Sequence, residues 1–256
     1  MKTLLHLAYD GTGYHGWQSQ PSGRGVQDQV ERALFGILRE NIRVEGASRT
    51  DTGVHAHDMP AHFESRQMPV PPARLPVALN HFLPADIRVT RAESVSDAFH
   101  ARHDATGKTY SYTLWNHPAH HPLRRHDSWH VPQQLDLAAM RAAAAQLTGT
   151  HDFRAFTVTC PGELKNPITT LRRLGFQGDG PALHITLEGD RFLYKMCRAL
   201  VGLLVQVGTG KGGPSDVARL LEPEKLPPEA RSGLIAPPHG LALWHVSYPS
   251  AWLPSA

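Results

Sequence analysis

Apolar residues run twice through the same order of elements, strand–helix–strand–strand–helix–strand, and this constrains the fold more than any single motif. In the first half, Thr3 to Tyr9 predicts an apolar strand, and a Gly-rich loop follows. Val26, Val30, Ala33, Leu34, Ile37 and Leu38 then recur at helical spacing on one face, which predicts a helix from Val26 to Leu38. Strand-like pieces lie near Ile42–Glu45 and Ala61–Glu64. A second helix is expected after Pro71-Pro72, with Leu75, Leu79 and Phe82 on one face, and a strand over Ile87–Ala92 closes the half. In the second half, Lys108–Trp115 predicts a strand with Tyr110, Tyr112 and Leu114 on one side. A helix is expected over Leu137–Leu147, with Asp136 as its N-cap and Gly149 just past its end. Strands at Ile168–Phe176 and Leu183–Leu187, a long helix from Phe192 to Val207 and a last strand at Leu241–Tyr248 complete it. Residues 208–240, rich in Gly, Pro and charge, read as a loop with a short helix. The prediction is an α/β (α+β) fold of two ferredoxin-like β-α-β-β-α-β halves, residues 1–105 and 106–256. The halves repeat element order, not sequence.

Composition narrows the function classes. With 41% hydrophobic and 19% charged residues, the 256-residue chain can bury a substantial core. Its two cysteines, Cys160 and Cys197, are too few for a disulfide framework and suit a reducing compartment. The start, Met1-Lys2-Thr3-Leu4-Leu5-His6, lacks the pattern of a secretory signal. The longest apolar helical run, Met196 to Val207, falls short of the ~20 residues a membrane span needs and carries Arg198. A soluble, cytoplasmic protein without a membrane anchor is therefore expected. The net charge of +3 permits a polyanionic partner. Because basic residues are scattered or paired, any nucleic-acid surface must be assembled by folding.

Several motifs have to be weighed. Gly11-Thr12-Gly13-Tyr14-His15-Gly16 fits the G-x-G-x-x-G dinucleotide pattern, but no helix opens at the third glycine, as phosphate binding requires. A Gly-rich loop whose polar and aromatic residues suit RNA is the better reading. Gly208-Thr209-Gly210-Lys211-Gly212-Gly213 lacks the leading glycine and trailing Ser/Thr of a phosphate loop. The histidines at 55, 57 and 62 and at 117, 120, 121, 126 and 130 show no zinc spacing, so no metal is expected. Asp51-Thr52-Gly53 is the aspartic-protease triplet, but that chemistry needs two carboxylates sharing a proton, hence a symmetric dimer. A guanidinium at Arg49 would oppose the protonated state. Taken alone, Asp51 in this small polar loop could be a turn aspartate. Arg198, the one charge between Met196 and Val207, changes the balance: if buried it needs an anion, for which Asp51 is a natural partner. On an exposed helix edge it needs none.

These residues carry a family resemblance. Tyr9-Asp10-Gly11-Thr12-x-Tyr14-x-Gly16-Trp17-Gln18-x-Gln20 and Val26-Gln27 are followed by Arg49-Thr50-Asp51-x-Gly53-Val54-His55-Ala56. Leu79-Asn80, Leu83-Pro84-x-Asp86-Ile87, Phe99-x-Ala101-Arg102 and Lys108-x-Tyr110-x-Tyr112 come next. Asp152-Phe153 with Phe156, Phe192-x-Tyr194-x-Met196-x-Arg198 and Gly240-Leu241 complete the series. In this order, and nearly end to end, the chain resembles the tRNA pseudouridine synthase A family. Ser48, Thr52 and Cys197 stand where the family usually has glycine, alanine and valine.

The resemblance implies a pseudouridine-synthase fold, its two halves joined into one mostly antiparallel sheet with a cleft between them. It implies a homodimer acting without cofactor or metal on the anticodon stem-loop of tRNA, at positions 38, 39 and 40. Asp51 would be the catalytic carboxylate, as nucleophile at the ribose or as base; Tyr110 would pack on the target base and Arg198 would hold Asp51. Arg49 and His55 would contact the substrate. A non-catalytic RNA-binding module is the alternative from another class, but the aromatic motifs such modules display on their central strands are missing.

Overall fold

The computed structural model describes residues 1–158, 164, 166–178, 180–227 and 230–252. Cys160 lies outside them. The described residues form ten strands, mostly antiparallel, and five α-helices, the mixed α/β composition the periodicity predicts. They divide into two compact units, Met1–Lys108 with Ala242–Ala256, and Thr109–Leu241.

The first unit holds β1 (Lys2–Tyr9), α1 (Val26–Leu38), β2 (Val44–Gly46), β3 (His55–Glu64), α2 (Leu75–Phe82) and β4 (Ile87–Val95), together with the final strand β10 (Leu241–Ser247). Its strand order is β4-β1-β3-β10, with β2 also on β3. One edge of β3 is shared: β10 runs parallel to its start, with Ala242 opposite His55, and β2 pairs antiparallel near its end. Leu5, Leu7, Leu34, Met59, Leu75, Leu79 and Ile87 are fully buried and form the core of the unit. The N-terminus of α1 is fixed by Asp28, whose carboxylate accepts the Gly25 N–H at 2.8 Å. Phe82 departs from expectation. Leu75 and Leu79 point inward as predicted, but Phe82 is 53% exposed, its ring laid over Gly36 of α1.

β3 also begins six residues before the predicted Ala61, and a β-bulge explains why the pattern hides it. Leu7 pairs with Met59 and Tyr9 with Ala56, so β3 has two residues, His57 and Asp58, where β1 has only Ala8. The extra residue breaks the two-residue alternation by which strands are recognised.

The second unit contains most of β5 (Gly107–Asn116), then β6 (Trp129–Val131), α3 (Leu137–Leu147), β7 (Gly149–Asp152), β8 (Ile168–Gln177), β9 (Ala182–Gly189), α4 (Met196–Gly208) and α5 (Pro214–Leu220). Its strand order is β5-β9-β8-β7, with β6 parallel to β5. Tyr110, Tyr112 and Leu114 are all buried, as their spacing predicts. Asp136 caps α3 by accepting the Ala139 N–H at 2.9 Å. The short β6 and β7 give no periodic signal and were not expected; α5 is the short helix expected in 208–240. α4 starts at Met196 rather than Phe192, because Lys195 sits in the left-handed region at φ +61° and cannot continue a helix backwards. No described helix is long and apolar enough to cross a membrane.

Candidate active site

Asp51 stands at the head of a tight turn. The Val54 N–H donates to the Asp51 carbonyl at 3.1 Å, and Gly53, third residue of the turn, takes φ +78°. That position of a type II-like turn favours glycine, which accounts for the Asp-x-Gly spacing. Asp51 is half-buried, Thr52 exposed, and Val54 buried at the entry to β3.

Residues just before Asp51 are held from several sides. The Thr50 carbonyl accepts the Trp17 N–H at 3.1 Å, and the Thr50 hydroxyl bonds to the buried Tyr9 hydroxyl at 2.8 Å. Burial pushes the Tyr9 phenol well above its ordinary range, so it stays protonated as a hydrogen-bonding strut. Lys108 reaches the Ala47 carbonyl at 2.7 Å and the Ser48 hydroxyl at 3.5 Å. Ser48 itself fits without strain, since among the described residues only Arg39 and Lys195 are non-glycine residues at positive φ. Its hydroxyl also gives Lys108 a partner that a glycine would lack.

The Gly-rich loop is the other wall of the turn, and its glycines serve close packing. A side chain at Gly16, which has φ +84°, would lie 2.5 Å from the Thr50 carbonyl oxygen; one at Gly11 would lie 2.0 Å from that of Val54. One ring nitrogen of His55, Nδ1, accepts the Gly11 N–H at 3.0 Å and lies 3.1 Å from the Asp10 carboxylate, which in turn accepts from Thr12. Gly16→Ala is therefore expected to shift the Thr50–Asp51 backbone. It should lower stability by about 2 kcal/mol or more, from strain and clash together, and cut activity at least as strongly. Thermal melting alongside turnover checks this; a variant with wild-type melting and rate would refute the packing role.

The remaining predicted residues are placed as follows. Arg49 is exposed, two residues from Asp51. In the second unit, Tyr110 is buried with its ring edge-on to Phe192, centroids 5.3 Å apart. Arg198 is half-buried on a helix whose other residues, apart from Gln206, are buried; its Nε donates to the Ala236 carbonyl at 2.7 Å, while the Ala236 N–H returns a bond to the Arg198 carbonyl at 3.0 Å. Arg198 also lies beside Tyr112, whose buried hydroxyl donates to Pro237 at 2.8 Å. Lys108 was seen in the sequence only as part of a motif. Its bracing role could not be read there, because it depends on where Ala47 and Ser48 come to lie.

One group of three potential metal ligands converges among the described residues: Glu45, His62 and His100. Its tautomers oppose metal binding. His62 Nδ1 accepts the Ala101 N–H, and His100 Nδ1 accepts those of Arg102 and His103. The ring proton of each then sits on Nε2, where His100 faces Glu45 at 3.1 Å. A histidine that ligates through Nε2 needs its proton on Nδ1.

Comparison with known proteins bears on this arrangement. A family profile described as tRNA pseudouridine synthase matches residues 6–104 and 143–249, which include Asp51, His55 and Arg198. The chain is similar to proteins named tRNA pseudouridine synthase A. It is 39% identical to that of Bacillus licheniformis over 252 residues, covering 97% of this chain and 99% of the relative. It is 42% identical to that of Geobacter sp. over 250 residues, with 96% and 98% covered. For that of Pelobacter propionicus the identity is 42% over 254 residues, with 97% and 100% covered.

Proposed function

Since the chain belongs to the tRNA pseudouridine synthase family and is an isomerase with tRNA as substrate, we propose that it converts uridine to pseudouridine in the anticodon stem-loop, at tRNA positions 38, 39 and 40. The observation that carries this reading is the turn bearing Asp51. A half-exposed carboxylate projects from backbone pinned on both sides, inside the Arg49-Thr50-Asp51-Thr52-Gly53-Val54-His55-Ala56 signature.

The reaction breaks the C–N glycosidic bond of uridine, turns the freed uracil and joins its C5 to the same ribose carbon, the C5 proton being lost and N1 gaining one. Atoms balance within the substrate, and no oxidant, reductant or phosphoryl donor is consumed. The protein's task is to bind the extruded nucleotide, supply a carboxylate at the sugar and move protons. In this proposal Asp51 acts as nucleophile at the ribose carbon or as base on a ribose proton. Tyr110 packs on the target base, and Arg198 orients the carboxylate. Arg49 and His55 meet the substrate at the flanks of the turn. Unstacking a base costs a few kcal/mol, which favours a loop or stem-end site. We infer further that the enzyme works in the cytoplasm as a homodimer, each copy presenting its own Asp51 turn.

Incubating the protein with unmodified tRNA and mapping pseudouridine tests the reading. Conversion confined to the anticodon arm supports it; conversion only elsewhere, or none, overturns it. Affinity should rest on phosphate contacts and so fall by orders of magnitude as salt rises from about 50 to 200 mM, with a linear log–log slope. Filter binding across that range measures this, and a flat slope counts against a backbone-held tRNA.

A further inference from the structure

The bulge in β3 creates a feature that the catalytic turn does not use. Ala56 and Met59, on either side of it, are buried; between them His57 is exposed and Asp58 is half-buried, so both side chains leave the core side of the strand. β10 runs alongside, with Leu243 opposite Ala56, which brings Trp244 abreast of His57. The two rings are in contact, with centroids 4.3 Å apart and planes tilted by 50°. Trp244 is nonetheless 51% exposed. Nothing in the core requires an indole there, and an exposed tryptophan half-covered by an exposed histidine is an aromatic surface open to solvent.

The surroundings favour one occupant. Although the side chain is exposed overall, the partial burial of its imidazole, and then the neighbouring His55, hold His57 below its ordinary pKa, so at neutral pH the pair is an uncharged aromatic platform. Beside it, Asp58 lies 2.7 Å from His6 Nδ1 and 3.9 Å from His245 Nδ1. Beyond His6, Arg91 and Glu93 approach its Nε2 at 2.8 and 3.3 Å and pair with each other at 3.5 Å. An uncharged aromatic surface takes the face of an unpaired base. The platform is also continuous with the catalytic turn: His57 follows His55 by two residues, about 7 Å of strand.

Resting on the reading that the substrate is tRNA, we propose that Trp244 and His57 form a stacking platform for an unpaired base of the substrate other than the uridine being modified. The platform helps hold the RNA strand in register beside the Asp51 turn. Trp244 is a binding residue here and takes no part in bond making.

Binding of unmodified tRNA tests this, measured in the Asp51→Asn background so that turnover does not intervene. Trp244→Ala should weaken binding about 5- to 100-fold, and Trp244→Phe should recover most of it, because stacking needs a ring rather than an indole N–H. The melting temperature should stay close to that of the parent, since Trp244 is half in solvent. Irradiated tRNA carrying 4-thiouridine should cross-link to Trp244 or His57. A dissociation constant unchanged within twofold in Trp244→Ala overturns the platform. So does an equal loss in both variants with a lowered melting temperature, the mark of a merely structural residue. The two readings fail separately. Pseudouridine formed by the wild type with binding indifferent to Trp244 sinks the platform alone. Ring-dependent binding without pseudouridine in the anticodon arm sinks the proposed reaction alone. No tRNA binding at all sinks both.

Discussion

Asp51→Asn should reduce pseudouridine formation by on the order of 10³-fold or more while leaving tRNA affinity within about threefold of wild type. The amide is nearly isosteric with the carboxylate. The supports of the turn do not depend on the Asp51 side-chain charge: the Trp17 N–H on the Thr50 carbonyl, Lys108 on Ala47, and the contact of Gly16 with Thr50 are backbone-directed. Folding should therefore survive. What disappears is the ability to attack the ribose or to draw off a proton, so the loss belongs to the rate at saturating tRNA and not to KM. Single-turnover assays with excess enzyme, together with filter binding, separate the two. Turnover within tenfold of wild type would remove Asp51 from the chemistry and return it to the role of a turn residue. Loss of binding in parallel with rate would show instead that the charge holds the loop.

Much of this architecture was legible because local signals agreed with the tertiary structure. α1 and α3 occupy the predicted spans because each combines an apolar stripe with a side chain that fixes its start, Asp28 and Asp136 respectively. What escaped depended on partners distant in sequence. The bulge at His57-Asp58 hid the first part of β3. The left-handed Lys195 delayed the start of α4 to Met196 without any glycine to announce it. Phe82 satisfied a helical spacing yet lies over Gly36 at the surface. In the Gly-rich loop the residue type was informative and its reason was not. Glycine was needed for closeness to Thr50 and Val54, and no spacing rule encodes which backbone will approach. The same holds for the site: Arg198 stands out as the one charge in an apolar helical run and Asp51 through the ordered motif around it, whereas Lys108 becomes meaningful only with Ala47 and Ser48 beside it.

Arg198 offers the second large effect, and its neighbours divide that effect into two separable parts. Arg198→Met keeps much of the apolar stem and removes the guanidinium. The Ala236 carbonyl then loses the donor at 2.7 Å, although Ala236 keeps its backbone bond to the Arg198 carbonyl. Leaving that carbonyl without its partner should cost about 1–3 kcal/mol of stability, a modest fall in melting temperature. If Arg198 also orients the catalytic carboxylate, the saturating rate should fall by about 100-fold or more, far beyond what a small loss of folded fraction can produce. Arg198→Lys sharpens the distinction. An ammonium restores the charge but not the planar fork, so it cannot serve the Ala236 carbonyl and a second acceptor in the same geometry. Its rate should therefore recover only in part. Melting curves and single-turnover rates on both variants decide the matter. A lowered melting temperature with a rate within threefold of wild type would confine Arg198 to holding Ala236. A rate collapse in Met, partial recovery in Lys and similar melting in both would assign the guanidinium to the reaction.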